Sequence, residues 1–529
     1  MSVKRWKGMA GICLLTAGIL TGCGEGAGGT QEAAAPAVSL DWYVNFSWYS
    51  TTWGKNLVSR AITDKTGVTI NYIAPKGSEK EKLNAMMASD TLTDLLTIGW
   101  WEDEYKELVN QGKVYDLKEL ASQYCPEFNE VINPVTADWY TDSAGSLYAY
   151  PNSSYTPQDM EQYDNLYSNQ NFLVRKDIYE ALGSPDMTTP EGFMDAVRRA
   201  AAQYPQVDGQ PLIPIGSDEF TENGCNSFEN YLLSFLAVPY EKDGAYYDRT
   251  TDPDYLAWLR VFRQMGQEEY LKNDIFIDKR SQLEDKIADG RYFCLFYQNM
   301  DIAVQQRMLQ QKHPEWIYVA VDGPKNAAGD DPVLPIAGIH GWTVTMIPKT
   351  CKDPEQAIRF LTYLISEEGQ KMLYLGVEGE MYQMVDGKPQ VKPEVTELLN
   401  KDRLAYDETY GADDTYWMLQ NNAMQLQWEY NTGDPISQMK QYTYPYVAYT
   451  GQYDLDFSED VENNRLYVKM QQLWGSALRD LLLAESDARF DALLQEYLEV
   501  RQAEGYDAFA VAATEEYRRN KEKLGLTDE

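Results

Sequence analysis

Apolar and polar positions alternate along Ser39 to Val44 and again along Val68-Thr69-Ile70-Asn71-Tyr72-Ile73, and a short apolar run covers Asp94 to Ile98. Each pattern predicts a β-strand. Helical stretches lie between them. The first runs from about Trp53 to Thr66 and is closed by Gly67; the second begins after Ser78, whose spacing to Glu81 predicts a capping box, and carries Leu83, Met86 and Met87. A β-α-β-α-β order predicts a mainly parallel sheet covered by helices. Ligands meet such sheets at the carboxyl ends of the strands. The chain places two aromatic loops there, Asn45 to Tyr49 and Gly99-Trp100-Trp101.

The alternation continues through the middle of the chain. Asn171 to Val174 predicts a strand, followed by a helix to Leu182 with Gly183 at its end, and Thr189-Pro190-Glu191 opens another helix with a cap, an N1 proline and an acid. Tyr292 to Phe296, Ile317 to Val321 and Gly341 to Ile347 predict further strands. Asp353-Pro354-Glu355 then starts a helix with apolar positions at Ala357, Ile358, Phe360, Leu361 and Leu364. Beyond about residue 400 the pattern is helical and rich in tyrosine.

The beginning of the chain differs. Lys4, Arg5 and Lys7 precede the mostly apolar run Met9 to Leu20, which is too short to span a bilayer as a stable helix and ends in Leu20-Thr21-Gly22-Cys23. This is the layout of an export signal, and its last four residues resemble the lipobox of bacterial lipoproteins. The resemblance implies cleavage before Cys23 and lipidation of its thiol. Residues 1–22 are therefore expected to be a lipoprotein signal peptide, with Cys23 anchoring the protein to the extracellular face of the cell membrane. Residues 23–37 have no large apolar side chain after Cys23 and are expected to form a flexible tether.

Charge and size narrow the function. The net charge of −36, or −39 once Lys4, Arg5 and Lys7 are removed, repels polyanions and excludes nucleic acid as a partner. The body beyond the tether is too long for one core and predicts two lobes. Cys125, Cys225, Cys294 and Cys351 lie far apart without C-x-x-C spacing, which favours buried free thiols over a zinc or redox site, although disulfides remain chemically allowed outside the cell. The two histidines, His313 and His340, stand in no H-E-x-x-H or triad-like setting, and no G-x-S-x-G or phosphate loop is present. No catalytic residue and no cofactor is expected, and both histidines are expected to be structural. Acid pairs such as Glu378 with Glu380 and Asp413 with Asp414 suit glycoside hydrolysis, but among 82 acids such pairs arise by chance.

Several stretches, taken in order, resemble the extracellular solute-binding proteins of ABC importers, the family that includes maltose-binding protein and the long Gram-positive LplA-like lipoproteins. They are Thr66-Gly67-Val68-Thr69-Ile70, Asp94-Leu95-Leu96 through Gly112 to Leu117, Leu147 to Pro151, Phe172-Leu173-Val174-Arg175-Lys176-Asp177, and Ala357 to Gly369. The resemblance implies a class II periplasmic-binding-protein-like fold of two α/β lobes, each a mainly parallel sheet flanked by helices, joined by crossover hinge segments. Lobe one would comprise 38–152 and 318–376, and lobe two 153–317 and 377–529. It implies a monomeric, non-enzymatic receptor that holds an oligosaccharide between the lobes and delivers it to ABC permease subunits. A peptide or other amphiphilic solute is the rival ligand, and a surface polysaccharide-degrading enzyme the rival class. Some long relatives carry a calcium loop, but Pro205 to Pro211 has too few carboxylates for one, so no metal is expected.

A sugar has flat C–H faces and hydroxyl edges, so its cleft needs rings and polar side chains. With 13 Trp and 39 Tyr, most rings must belong to the core, and loop position selects the candidates. Trp48, Trp100 and Trp101 lie at predicted strand ends. Tyr297, Gln298 and Asn299 end a lobe-two strand and resemble the family's aromatic contact there. Trp342 and Trp417 are further ring candidates, Asn45 and Glu380 polar ones, and Arg175 is expected to be a structural arginine of the hinge region.

Overall fold

The computed structural model describes residues 38–430, 436–457 and 460–526. The expected signal peptide, lipidated Cys23 and tether lie outside the described residues. Two main sheets are built from β1 (Val38–Val44), β2 (Val68–Ile73), β3 (Leu95–Gly99), β4 (Tyr150–Pro151), β5 (Gln170–Arg175), β6 (Ile213–Gly216), β7 (Tyr292–Gln298), β8 (Tyr318–Ala320) and β9 (Thr343–Met346). The first has the order β2-β1-β3-β9-β4 and the second β8-β5-β7-β6.

In the first sheet β1 runs parallel to β2 and β3, and β9 is antiparallel to β3 and β4. In the second, β5 is antiparallel to β7 and β8, and β6 is parallel to β7. Both sheets are mixed, so the expectation of mainly parallel sheets needs correcting. Each antiparallel pairing involves β5 or β9, the strands that receive the chain as it arrives from the other sheet. Such a strand has no covering helix to return it to the starting edge, which a parallel neighbour requires.

The predicted helix signals work as local physics demands. Asn56 caps Leu57–Thr66 by accepting from the Ser59 N–H, which starts that helix later than Trp53, and Gly67 closes it at φ 69°. The Ser78 side chain accepts from the Glu81 N–H at 3.3 Å. Thr189 and Asp353 cap Pro190–Gln203 and Pro354–Ile365. Side chains alternate across each sheet. Leu40, Trp42 and Val44 pack with Phe360 and Leu364 on one face of the first sheet, while Tyr43, Leu96 and Ile98 meet Leu83 and Met87 on the other. Phe172, Val174 and Phe296 face one core of the second sheet, and Leu173, Leu295 and Tyr297 face another.

The chain passes from the first sheet to the second after β4, returns after β8, and leaves again after Trp428. Met381, Tyr406, Trp417 and Trp428 pack in the core of the first sheet, whereas residues from 377 onward were expected in the second lobe. The apolar faces of helices such as Pro393–Lys401, through Val395 and Leu399, are spent on that first core. From Ile436 and Met439 onward the chain packs on the second sheet, and Trp474, Leu478 and Phe490 of the late helices close its larger core. Cys125, Cys225, Cys294 and Cys351 are buried free thiols. Among the described residues no helix is long and apolar enough to cross a membrane.

Candidate functional site

Strand directions bring four loops to one edge of the first sheet. β1, β3 and β4 end there, and β9 begins there with Thr343 opposite Gly99. Asn152, the residue after β4, is buried and ties two of these loops together. Its Oδ1 accepts from the Thr343 N–H at 2.8 Å and its Nδ2 donates to the Trp417 carbonyl at 3.0 Å.

Trp48, Trp342 and Trp417 meet on this edge. The Trp48 and Trp342 planes differ by 9° with centroids 6.1 Å apart, and Trp417 lies 5.7 Å from Trp48 and 4.6 Å from Trp342. Phe46 supports them at 5.2 Å from Trp342 and 5.6 Å from Trp417. Phe46 and Trp417 are buried while Trp48 is 58% exposed, so the group is an anchored platform with an open ring.

A second aromatic group starts at the end of β3. Trp101 is 52% exposed, and its ring crosses over Gly99, where an added Cβ would come within 2.7 Å of it. Trp100 stacks on His340 with centroids 4.0 Å apart. Trp139, from helix Pro134–Tyr140, meets the same imidazole edge-on at 5.0 Å and donates from Nε1 to His340 Nδ1 at 3.3 Å. The Tyr140 hydroxyl donates to the His340 carbonyl at 2.6 Å. Burial pulls the His340 pKa down from 6.5 to about 4, so the imidazole is neutral at physiological pH. Trp100, Trp139, Tyr140 and His340 line one wall of a cavity of about 670 Å³, and Asp456, Arg519 and Lys523 line the other.

The polar candidate Asn45 is buried. Its Nδ2 donates to Glu102 at 2.6 Å, its Oδ1 accepts from the Tyr43 hydroxyl at 3.0 Å, and Glu102 also accepts from the Gly99 N–H at 2.7 Å. Burial raises the Glu102 pKa, while the bonds from Gly99 and Asn45 oppose that rise. Asn45 and Glu102 therefore staple the loop after β1 to the loop after β3. Glu380 stands exposed in the turn before Met381 and takes no part in the bonds that hold the platform.

The corresponding edge of the second sheet looks different. Tyr297 shares the strand face of Leu295 and is buried with Leu173 and Ile302. Asn299 is buried as well and donates to the Ser168 carbonyl at 2.8 Å. Gln298 is half-buried and accepts from the Asn169 amide. Of the three candidates, only Gln298 retains access to solvent. Arg175 is structural: it is 1% exposed, bonds both Asp177 oxygens at 2.6 and 2.7 Å, donates to the Gly290 carbonyl, and lies 4.0 Å over Trp316. His313 bonds Asp208 at 2.6 Å and stacks on Trp316.

Sequence reasoning missed Phe46, Trp139, Asn152 and the cavity setting of His340. The only advance signals were the predicted strand start after His340 and the aromatic pair Trp139-Tyr140, neither of which specifies a contact.

Two mixed sheets flanked by helices, joined by repeated chain crossings and bearing an aromatic rim at strand ends, define the periplasmic-binding-protein-like class. The sequence profile of the bacterial extracellular solute-binding protein family matches residues 58–379, and the chain belongs to that family. It is therefore a solute-binding protein, a receptor rather than an enzyme. Among solved structures it is similar to the alginate-binding protein AlgQ2 without calcium ion, at 17% identity and TM-score 0.66 over 92% of this chain and 99% of that one. It is also similar to the S. pneumoniae ABC-transporter substrate-binding protein FusA in complex with kestose, at 13% identity and TM-score 0.66 over 92% and 99%. An HMO-binding, ABC-transporter-associated solute-binding protein from Bifidobacterium longum infantis matches at 13% identity and TM-score 0.64 over 93% and 100%. At these identities the likeness is one of fold. No curated protein matches the chain in sequence.

Proposed function

We propose that this receptor is lipid-anchored through Cys23, captures an oligosaccharide between two lobes, and delivers it to a membrane permease. The lobes would be built on the two sheets, with residues 381–428 counted in the first. The observation that carries the sugar reading is the platform of Trp48, Trp342 and Trp417 beside exposed Trp101: ring faces match the C–H faces of pyranoses and furanoses, and a stacked ring contributes about 0.5–1.5 kcal/mol beyond its area burial. The similarity to proteins solved with, or described as binding, alginate, kestose and HMO supports the same ligand class.

A thermal-shift panel of kestose, maltotetraose, Man5GlcNAc, an alginate trisaccharide and short peptides tests the ligand class. A glycan at one hundred times its dissociation constant stabilises the folded state by about 2.7 kcal/mol. A peptide shift with every glycan silent would replace the sugar reading. For the anchor, Cys23→Ser is expected to move the protein from the membrane fraction to the medium; retention of the variant on membranes would remove that part of the proposal.

A further inference from the structure

We propose that Gln370 is a positioning residue of the ring platform, acting through Trp417; this rests on the reading of the platform as the ligand surface. Trp417 is the ring that meets both others, 4.6 Å from Trp342 and 5.7 Å from Trp48. It stands in the 3₁₀ stretch Asp413–Leu419, which is broken by the non-helical residue Tyr416. Such a stretch lacks the continuous backbone ladder of a helix, so its course depends on bonds from outside. Asn152 supplies one of them, to the Trp417 carbonyl at 3.0 Å. Gln370 supplies others from a different helix.

Gln370 belongs to the helix Glu367–Leu375 and is fully buried. A side-chain amide has two N–H donors and an oxygen with two lone pairs, and here every one of them is used. Nε2 donates to the Leu364 carbonyl at 2.8 Å and to the Leu419 carbonyl at 2.9 Å. Oε1 accepts from the Asn421 N–H at 2.7 Å and from Gln425 Nε2 at 3.2 Å. Buried Gln425 extends the network, its Oε1 accepting from Gln420 Nε2 at 2.8 Å, and the same Gln420 nitrogen donates to Asp414 Oδ1 at 2.9 Å. The bonds therefore grip the chain on both sides of Trp417, at Asp414 and from Leu419 to Asn421. The helix does not need the amide for its own seat: Leu373 and Leu375 bury it in the core of the first sheet, and Ser366 caps it by accepting from the Gly369 N–H. Without the amide, the Leu419 carbonyl and the Asn421 N–H lose this partner in a buried setting, and the strip relieves that cost by shifting. A binding surface keeps its shape when residues behind it lock its side chains, and that preorganisation spares the ordering cost when ligand arrives.

Gln370→Met fills the same space with an unbranched side chain and removes every one of these bonds. Indoles as close as Trp48, Trp342 and Trp417 couple their electronic transitions, so circular dichroism of the unliganded protein reports their mutual geometry. Gln370→Met is expected to change the indole spectrum well below the melting transition, and the same substitution made in Trp417→Ala is expected to leave that variant's spectrum as it was. By calorimetry Gln370→Met should weaken whichever of kestose, maltotetraose or Man5GlcNAc binds by about tenfold, and by less than about twofold in the Trp417→Ala background, because residues that act through one another are not additive. A residue that only supports the fold would lower the melting temperature with the spectrum unaltered, and would weaken the glycan equally in both backgrounds; either result overturns the proposal. Unchanged affinity of Gln370→Met for a glycan that binds overturns it as well. Silence from every glycan removes the sugar reading, and the spectra of the unliganded variants still decide whether Gln370 places Trp417. Should Gln370→Met fail to fold, Gln425→Met takes away only the bond to Gln370 Oε1 and the link to Gln420. It is expected to give the same spectral change in smaller measure, and an unaltered spectrum there overturns the proposal.

Discussion

The carboxyl-end edges of the two sheets carry similar residues to different ends. On the first, the loop from Asn45 to Asn56 is long enough to lift Trp48 off the pleat, where it meets Trp342 and Trp417 and keeps 58% of its surface exposed. On the second, β7 runs directly into the helix Asn299–Lys312, so Tyr297 remains in strand register and turns inward with Leu295. An aromatic residue at a strand end becomes exposed surface when a loop takes it out of the alternation, and core when the strand keeps it. Under the proposed function the first edge would supply affinity and the second rigidity.

The largest effect should come from the rigid side. Arg175 is buried beneath the second sheet, with Asp177, the Gly290 carbonyl and Trp316 as partners. Arg175→Ala leaves Asp177 and that carbonyl without their donor, and breaking a buried pair of this kind costs about 3–5 kcal/mol. Denaturant titration should show the loss, while calorimetry on the remaining folded protein finds ligand affinity unchanged. A loss of affinity that outweighs the loss of stability would break the division between the edges.

Next in size is the opposite dissociation. Trp48→Ala and Trp342→Ala should each weaken the bound glycan by about 10–100-fold, in the range of buried aromatic anchors. Trp48→Ala should leave the unfolding midpoint almost unmoved, because the ring is mostly exposed. Unchanged affinity in both variants would take the platform out of the site.

Much of this contrast was legible in the sequence. The strands, the caps at Thr189 and Asp353, and the closing Gly67 follow from local rules that no tertiary contact overrides. Trp48, Trp342 and Trp417 were each selectable by loop position, although their convergence depends on Asn152 bonding two distant segments. Asn45 and Tyr297 show where legibility ends. A strand-end position can be read from the pattern, but the direction of the side chain is set by Glu102 in one case and by strand register in the other. Residues 381–428, expected in the second lobe, pack on the core of the first sheet, and the pattern could not tell the two apart because an apolar helix face fits any apolar surface. The packing of His340 between Trp100 and Trp139 was invisible because a lone histidine has no spacing to read.

The two regions should also respond to pH with opposite sign. His340, beside the first edge, has its pKa depressed by burial to about 4, so its contribution to stability is present above its unfolded value near 6.5 and is lost as pH falls through 4. Glu229, on the π-helical turn Ser227–Tyr231 packed on the second sheet, has its pKa raised by burial to about 8, with Oε1 unpartnered. Its contribution is fully present below about 4.5 and is lost as pH climbs through 8. Melting temperatures recorded from pH 4 to pH 9 should fall at both ends. Glu229→Gln should make the alkaline limb shallower, the remainder belonging to buried Asp454, whose pKa burial raises to about 7, and His340→Phe should flatten the acid limb. An alkaline limb of unchanged slope in Glu229→Gln would assign it to Asp454 and leave the comparison with one side.

The smallest expected effect is the most exacting test of the rule about strand ends. Tyr297 looks in sequence like a cleft contact, but its ring is 1% exposed and its hydroxyl is buried without a partner. Removing an unsatisfied buried hydroxyl while keeping the ring is close to neutral, or slightly stabilising, because the desolvated group is no longer held in the core. Tyr297→Phe should therefore leave glycan affinity within error and hold or raise the melting temperature. If affinity instead falls several-fold, the hydroxyl reaches the ligand in the bound state. The second edge would then reorganise on binding, and strand register would no longer explain why its ring is hidden.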